Sequence, residues 1–155
     1  MIGVLFICLG NICRSPMAEA VFRHQVEQAG LGNHFLIDSA GLGDWHQGEA
    51  PHEGTQKVLK QRGIAFDTIR ARQIRSKDFE QFSYLVCMDE ENLAGLKKWL
   101  PSDKHVYRLL DFAPEQSERN VEDPYYTGRF EHVYSLVEAG CQGLLRHICQ
   151  EQGIG

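Results

Sequence analysis

The chain has 155 residues, the size of one ordinary domain, and 43% of them are hydrophobic, which is typical of a globular protein with a buried core. Its 16 basic and 21 acidic residues give a net charge of −5 at pH 7. That balance argues against a broad nucleic-acid-binding surface, although one locally basic pocket is compatible with it. We therefore expect a single domain over residues 1–155 that does not bind nucleic acid.

Membrane insertion and secretion are not expected either. No apolar run approaches the roughly 18 residues of a membrane span, and Met1–Ile7 lacks the basic start of a signal peptide and is better explained as a strand. An odd number of cysteines in such a chain predicts reduced thiols in a cytoplasmic protein rather than a disulfide framework. The five are Cys8, Cys13, Cys87, Cys141 and Cys149.

Predicted strands and helices alternate along the chain. The uninterrupted apolar run Ile2–Ile7 predicts a first strand that is covered on both faces. Ser15 as N-cap and Pro16 as first helical residue predict a helix that ends at Gly30. The later predicted strands are His34–Ser39, Tyr84–Met88 and His105–Leu110, and the later helices run from Pro51 to about Arg62, from Asp89 to Leu100 and over Phe130–Ile148.

This alternation predicts an α/β domain of three layers, in which a four-stranded parallel sheet carries helices on both faces. Ligands of such sheets bind beyond the carboxyl ends of the strands. The loop after the first strand is therefore the first candidate for a site. Two long loops, Gly41–Pro51 and Ala113–Gly128, are further candidates, because loops of this length in a small domain are often functional.

In the loop after the first strand, five residues separate Cys8 from Arg14. A segment of this length can curve around a tetrahedral oxyanion and point successive backbone N–H groups at it, and the helix start behind it adds a positive dipole end. Arg14 can hold two oxygens of one phosphate. Gly10 permits close backbone approach, and Asn11 tolerates a left-handed conformation. The predicted phosphate-binding residues are Leu9, Gly10, Asn11, Ile12, Cys13, Arg14 and Ser15.

Cys8 would lie at the bottom of this positively polarised loop. Such surroundings stabilise a thiolate, which can attack phosphorus in line and form a phosphocysteine. The N–H dipoles and the guanidinium then stabilise the charge that develops on the equatorial oxygens. Two roles stay open for Ser15, as a donor to the Cys8 sulfur or as the helix cap. A cysteine at a strand end is often only a packing residue, but the surrounding strand, glycine, asparagine and Ser-Pro favour the catalytic interpretation.

Dephosphorylation also needs a proton donor for the leaving oxygen. Asp89 is better explained as a helix cap. Asp123 precedes Pro124 and two tyrosines, Tyr125 and Tyr126, which could form the wall of a cleft and stack on an aromatic substrate. An ordinary Asp-Pro turn is the commoner meaning of that dipeptide, so composition alone does not choose. The candidates are Asp38, Asp44, Asp89, Asp111 and Asp123.

Four segments together resemble the low-molecular-weight protein tyrosine phosphatase family, in its order and spacing and over nearly the whole chain. They are VLFICLGNICRSPMAEAVF at the start, DSAG at 38–41, CMDEENL at 87–93 and EDPYY at 122–126. The combination of the C-x5-R-S loop with a distant DPYY is far more specific than either motif alone. The resemblance implies a cytoplasmic hydrolase that acts on phosphotyrosine-containing proteins and aryl phosphates through a phosphocysteine, with no cofactor and no metal.

The resemblance also implies catalytic roles. Cys8 would be the nucleophile and Arg14 the phosphate clamp that stabilises the transition state. Asp123 would be the general acid of the first step and the general base of the second. The residues that match the family's supporting hydrogen-bond network are Asn11, Ser15 and Ser39.

For the substrate cleft, the resemblance points to Trp45 and Tyr125 as walls around the phosphotyrosine ring, with Ile12 and Tyr126 beside them. Trp45 could instead be a buried anchor for its glycine-rich loop. Cys13 matches a loop cysteine that in many members traps oxidised Cys8 as a reversible disulfide, and a small packing residue is the alternative.

Related activities remain as alternatives. Protein-arginine phosphatases are similar in the loop but carry a small threonine where this chain has Ile12, and they lack the paired tyrosines. Arsenate reductases pass electrons through two further cysteines near the third strand, where this chain has Cys87 alone. Phosphocarrier subunits have neither the loop arginine nor an acid. A catalytically dead phosphotyrosine-binding module would have lost Cys8 or Asp123.

Metal catalysis is not expected, because the seven histidines form no H-x-H or H-E-x-x-H pair. His46 and His52 are six residues apart in a loop, which is more typical of exposed positions. The basic segment Arg70–Lys77 is interpreted as a solvated face that could steer an acidic phosphopeptide toward the cleft.

Overall fold

Four parallel strands form a central sheet in the order β2-β1-β3-β4. The computed structural model describes residues 1–155. In the middle of the sheet, Val4 of β1 lies opposite Ile37 of β2 and Tyr84 of β3. The strands are β1 (Ile2–Cys8), β2 (Phe35–Gly41), β3 (Tyr84–Cys87) and β4 (Val106–Arg108).

Helices cover both faces of the sheet. Along β1, Val4 and Phe6 belong to one apolar cluster while Leu5 and Ile7 belong to another, because successive side chains of a strand point to opposite faces. The helices are α1 (Arg14–Gln28), α2 (Glu53–Gln61), α3 (Asp78–Gln81), α4 (Glu90–Lys97), α5 (Pro124–Thr127) and α6 (Phe130–Gln152), with 3-10 turns at Gly32–His34 and Leu109–Phe112. Helices α1, α2 and α6 pack on the first cluster, and α3 and α4 pack on the second.

The predicted three-layer α/β domain with four parallel strands is confirmed. The fourth strand is shorter than predicted, because the chain turns into a 3-10 helix at Leu109 and buries Leu109 and Leu110 completely. Asp111 therefore lies in that turn rather than at a strand end. The short helices α3 and α5 were not predicted, since four residues give no periodic pattern. None of the helices has the length and apolar character needed to cross a membrane.

The start of α1 also differs from the prediction. The helix begins at Arg14, and Cys13, not Ser15, occupies the N-cap position without a capping side-chain bond. Pro16 is then the third helical residue rather than the first. The interpretation of Ser15 as a helix cap is wrong, because its hydroxyl is directed to other partners described below.

Close packing of α6 on the Leu109–Phe112 turn yields a stability prediction. A Cβ on Gly143 would lie 1.8 Å from the carbonyl oxygen of Phe112, so Gly143→Ala must push the two backbones apart. We expect it to lower the free energy of unfolding by about 3 kcal/mol, measured by urea denaturation. Gly32→Ala is the control, since Glu27 Cγ at 3.8 Å is the nearest atom that its Cβ would meet. Equal urea midpoints for the two variants would contradict this description of the packing.

Candidate active site

The loop between β1 and α1 turns its carbonyl groups outward. Leu42 and Gly43 donate backbone bonds to the carbonyls of Cys8 and Leu9, at 3.0 and 3.1 Å. The Ile12 carbonyl accepts from the His52 amide at 2.7 Å. Because neighbouring peptide groups are planar and linked, carbonyls fixed on the outside leave the amides to face the interior of the loop.

The amides of this loop are correspondingly free. The Asn11 N–H donates to Cys8 Sγ at 3.3 Å. The other amides from residue 9 to residue 15 donate to no protein acceptor, and those of Arg14 and Ser15 form part of the first turn of α1. They belong to Leu9, Gly10, Ile12, Cys13, Arg14 and Ser15. Successive unpaired N–H groups next to a helix N-terminus are what an oxyanion-binding loop requires.

Asn11 determines the shape of the loop. Its φ of 58° lies in the left-handed region, as the sequence suggested, and its side chain is almost completely buried. The side-chain amide donates to Ser15 Oγ at 2.7 Å and to Ser39 Oγ at 3.0 Å. Ser39 in turn donates to Glu19 Oε1 at 2.6 Å, and burial raises the pKa of that carboxyl. Glu19 is a member of this network that the sequence analysis missed.

Cys8 lies at the end of β1 with its sulfur 2.9 Å from Ser15 Oγ. Both residues are buried, yet Cys8 lines the cavity described below. The structure thus brings Ser15 to the sulfur. The sulfur therefore has two donor groups within reach, the Ser15 hydroxyl and the Asn11 amide.

Arg14 lies between two carboxylates. Nη1 donates to Asp89 Oδ2 at 2.5 Å and to the Val121 carbonyl at 3.0 Å, while Nη2 lies 3.5 Å from Asp123 Oδ2. Burial acts to lower the pKa of the guanidinium, but the Cys8 sulfur and Asp89 outweigh it, so that the pKa is raised and the group stays charged. Nε is buried and has no partner, which leaves one donor of the fork available to a ligand.

Asp89 does more than the sequence indicated. Its Oδ1 accepts from the Asn92 amide at 2.7 Å, which confirms the predicted cap of α4. Its second oxygen, Oδ2, holds Arg14. The capping pattern was visible in the sequence, whereas the contact between residues 75 positions apart was not.

The two carboxylate oxygens of Asp123 also have different partners. Oδ1 accepts from the Tyr125 amide at 3.1 Å and caps α5, so an Asp-Pro turn is indeed present. Oδ2 faces Arg14, and the residue lines the cavity. None of the other four candidate aspartates lines it. Asp38 pairs with Arg72, Asp111 pairs with Arg108, and Asp89 reaches the site only through Arg14.

The cavity has a volume of about 240 Å³ and combines a polar floor with aromatic walls. Cys8 and Arg14 are buried at its base, whereas Trp45 and Tyr126 are 65% and 77% exposed at its mouth. The alternative of Trp45 as a buried anchor is therefore wrong, although its ring packs closely over Gly43. The structure brings together all four predicted cleft residues, which are Ile12, Trp45, Tyr125 and Tyr126.

Two histidines support the aromatic wall and are half-buried rather than exposed. His46 lines the cavity and bonds Glu49 through Nδ1 at 3.0 Å. His52 caps α2, stacks on Phe130 and meets the Tyr125 ring edge-on at 5.9 Å. The sequence offered only their shared loop as a signal. Histidine, cysteine, aspartate and glutamate side chains form no cluster of three or more that could hold a metal ion.

Cys13 is a buried thiol that also borders the cavity. Burial, followed by the charge of Asp123, raises its pKa to about 12. At neutral pH it is therefore protonated and a poor nucleophile. All five cysteines of the chain are free, and the redox role of Cys13 stays a prediction.

The basic segment Arg70–Lys77 is only partly a solvated face. Arg70, Arg75 and Lys77 are exposed, as expected. Arg72 is 16% exposed and forms ion pairs with Asp38 and Asp78. It is therefore not available to attract an acidic peptide.

Comparison with known proteins shows similarity over the full length of the chain. The profile of the family described as "Low molecular weight phosphotyrosine protein phosphatase" matches residues 3–153. The "Low molecular weight protein-tyrosine-phosphatase YfkJ" of Bacillus subtilis (strain 168) is 48% identical over 154 residues, covering 98% of this chain and 99% of that protein.

Solved structures agree with the sequence comparison. The crystal structure of YfkJ from Bacillus subtilis superposes with a TM-score of 0.94, covering 97% of this chain and 96% of that one. A protein tyrosine phosphatase from Entamoeba histolytica, with Hepes in its active site, is 35% identical with a TM-score of 0.90 and covers 99% of both chains. A drosophila arginine phosphatase is 34% identical with a TM-score of 0.86, covering 95% of this chain and 97% of that one.

Proposed function

This chain belongs to the low molecular weight phosphotyrosine protein phosphatase family, and we propose that it hydrolyses phosphotyrosine in proteins, and aryl phosphates, through a phosphocysteine on Cys8. The observation that carries the proposal is the placement of the Cys8 sulfur, 2.9 Å from Ser15 Oγ, below a loop whose amides lack protein acceptors. Residues 1–155 act as a single phosphatase domain.

In the first step, the Cys8 thiolate attacks phosphorus in line with the bond to the tyrosine oxygen. The new S–P bond forms as the P–O bond to the phenol breaks, and the electron pair of that bond stays on the leaving oxygen. Asp123 gives its proton to this oxygen, so that tyrosine leaves as a neutral phenol. The position of Asp123 in the cavity wall, with Oδ2 free of the α5 cap, supports this role.

In the second step, a water molecule attacks the phosphocysteine. Asp123, now a carboxylate, takes a proton from that water while the S–P bond breaks and the electron pair returns to sulfur. Inorganic phosphate and the Cys8 thiolate result. Ser15 and the Asn11 amide stabilise the returning charge on sulfur, and their distances of 2.9 and 3.3 Å support this.

The charge on the transferring phosphoryl group is balanced by the protein itself. Arg14 binds two of its oxygens, and the free amides of the loop bind the remaining charge. The unpaired Nε of Arg14 supports this arrangement. The mechanism therefore uses neither a metal nor a cofactor.

Aromatic residues at the cavity mouth favour a flat phenolic ring. Trp45 and Tyr125 would hold it from two sides, with Tyr126 at the rim and Ile12 below. Dephosphorylation of arginine is the second candidate, since a drosophila arginine phosphatase is among the similar structures. Ile12 distinguishes the two, because its branched apolar side chain packs with Cys13 and lines the cavity, where it favours a phenolic ring over a polar guanidinium. For localisation we propose the cytoplasm, which the five free cysteines support.

Peptides that carry phosphotyrosine, phosphoserine or phosphoarginine test this function directly. We expect release of phosphate from the phosphotyrosine peptide in the presence of a chelator, and no turnover by Cys8→Ser, which still binds vanadate. Cys149→Ser, at the far end of α6, should keep full activity. Turnover by Cys8→Ser would contradict the assignment of the nucleophile.

The loss of activity on replacing the proton donor should depend on the leaving group. Asp123→Asn retains an oxygen to cap α5 but cannot protonate the phenol, so we expect kcat to fall by about 10³-fold for poor leaving groups. Phenols that leave readily without a proton should lose much less, as measured over a series of substituted phenyl phosphates. Asp111→Asn, outside the cavity, is the matched control. An equal loss for every leaving group would remove Asp123 from this role.

Substrate preference should shift with the size of residue 12. Ile12→Thr should raise the ratio of phosphoarginine to phosphotyrosine kcat/KM by about ten-fold, because it removes one methyl-sized obstacle from the cavity. Ile12→Leu, which keeps all four side-chain carbons, should change it less. An unchanged ratio in Ile12→Thr would show that the tyrosine preference does not depend on Ile12.

A further inference from the structure

Arg72 carries an ion-pair cluster that lies outside the cavity and that the mechanism does not use. Its guanidinium donates to Asp78 through both Nη atoms, at 2.9 and 3.0 Å, and to Asp38 through Nε at 3.1 Å. Asp78 is fully buried. Breaking a buried, bidentate pair is costly, so these bonds fix the position of residue 72.

The backbone of Arg72 connects this cluster to the phosphate-binding loop. Its N–H donates to Asn11 Oδ1 at 3.0 Å, and its carbonyl accepts from the Gly41 amide at 2.8 Å. Asp38, the second partner of the guanidinium, accepts from the Ser39 amide through its other oxygen at 2.8 Å. The side chain and the backbone of Arg72 therefore hold neighbouring parts of one network.

A backbone N–H can only donate, and this fixes the direction of every bond that follows. Since Arg72 N–H occupies Oδ1 of Asn11, the other end of that amide, Nδ2, must point to Ser15 and Ser39 and donate to both hydroxyls. Each hydroxyl then accepts one bond and has its own hydrogen left. Ser39 gives that hydrogen to Glu19, and Ser15 has only the Cys8 sulfur, at 2.9 Å.

We propose that Arg72 is a positioning residue that sets the direction of this network, so that Ser15 donates to the Cys8 sulfur instead of to Asn11. If the ion pairs were lost, the Arg72 amide would no longer hold Oδ1 and the Asn11 amide could rotate by half a turn. Ser15 would then donate to Asn11, and the thiolate would lose a donor. Only the effect of Arg72 on turnover rests on the proposed function, since the direction of the hydrogen bonds does not depend on it.

Alkylation of Cys8 by iodoacetamide tests this without any substrate. At mildly acidic pH the rate follows the thiolate fraction, and mass spectrometry locates the label. We expect Arg72→Met to slow the reaction about ten-fold, the effect of one lost hydrogen bond to a charged group, and Arg72→Lys to slow it less. Arg62→Met is the matched control, because Arg62 pairs with Glu131 on the surface at 2.7 Å. Asp38→Asn, at a 43% exposed side chain, gives a milder second variant if Arg72→Met does not fold.

A double-mutant cycle separates this role from a merely structural one. If Arg72 acts through Ser15, adding Arg72→Met to Ser15→Ala should slow alkylation little further. If the double variant instead slows alkylation by the product of the two single effects, the proposal is overturned. It is also overturned if neither Arg72→Met nor Asp38→Asn changes the alkylation rate. If the alkylation rates follow this pattern but the unmodified protein does not hydrolyse phosphotyrosine, the inference is supported and the proposed function is refuted.

Discussion

The site depends on a short segment of backbone whose carbonyls are bound on one side and whose amides are unpaired on the other. Buried N–H groups without partners are unfavourable, and folded proteins rarely contain several together. Here the cost is offset by the bonds that Leu42, Gly43 and His52 donate to the outer side of the loop. A phosphate dianion, the ligand that we propose, would satisfy the inner side.

The neighbouring strand must approach this loop closely to make those bonds. A Cβ on Gly41 would lie 3.0 Å from the Leu9 carbonyl oxygen and 3.1 Å from Asn11 Cβ, so a glycine at the end of β2 lets the two segments meet. The left-handed Asn11 then completes the curve. Strand register, one glycine and one unusual backbone conformation together determine where the sulfur lies.

Much of this arrangement could be predicted because it is local in sequence. The apolar run of β1, the C-x5-R spacing and the asparagine inside it all lie within a few residues, and they predicted the loop of inward-facing amides between β1 and α1. Three other features could not be predicted in the same way: the bond from Arg14 to the second oxygen of Asp89, the packing of His52 on Tyr125 and the burial of Arg72. Each depends on contacts between distant segments, and a charged residue in a basic run gives no sign that two carboxylates will surround it. Ser15 shows the intermediate case, since its type fitted two roles and only its neighbours chose between them.

Helix α5 consists of a single turn, from Asp123 as its cap to the left-handed Gly128 that ends it. The proposed proton donor and the two tyrosines at the cavity mouth thus lie on one small cooperative unit, whereas the loop between β1 and α1 is bonded to the segment that follows β2. Transient melting of that turn would remove both together and leave the loop intact. Such an open form would keep the loop amides in place but would lack the proposed proton donor. Hydrogen exchange at residues 125–128, whose amides are bonded within this turn, measures how often the open form occurs.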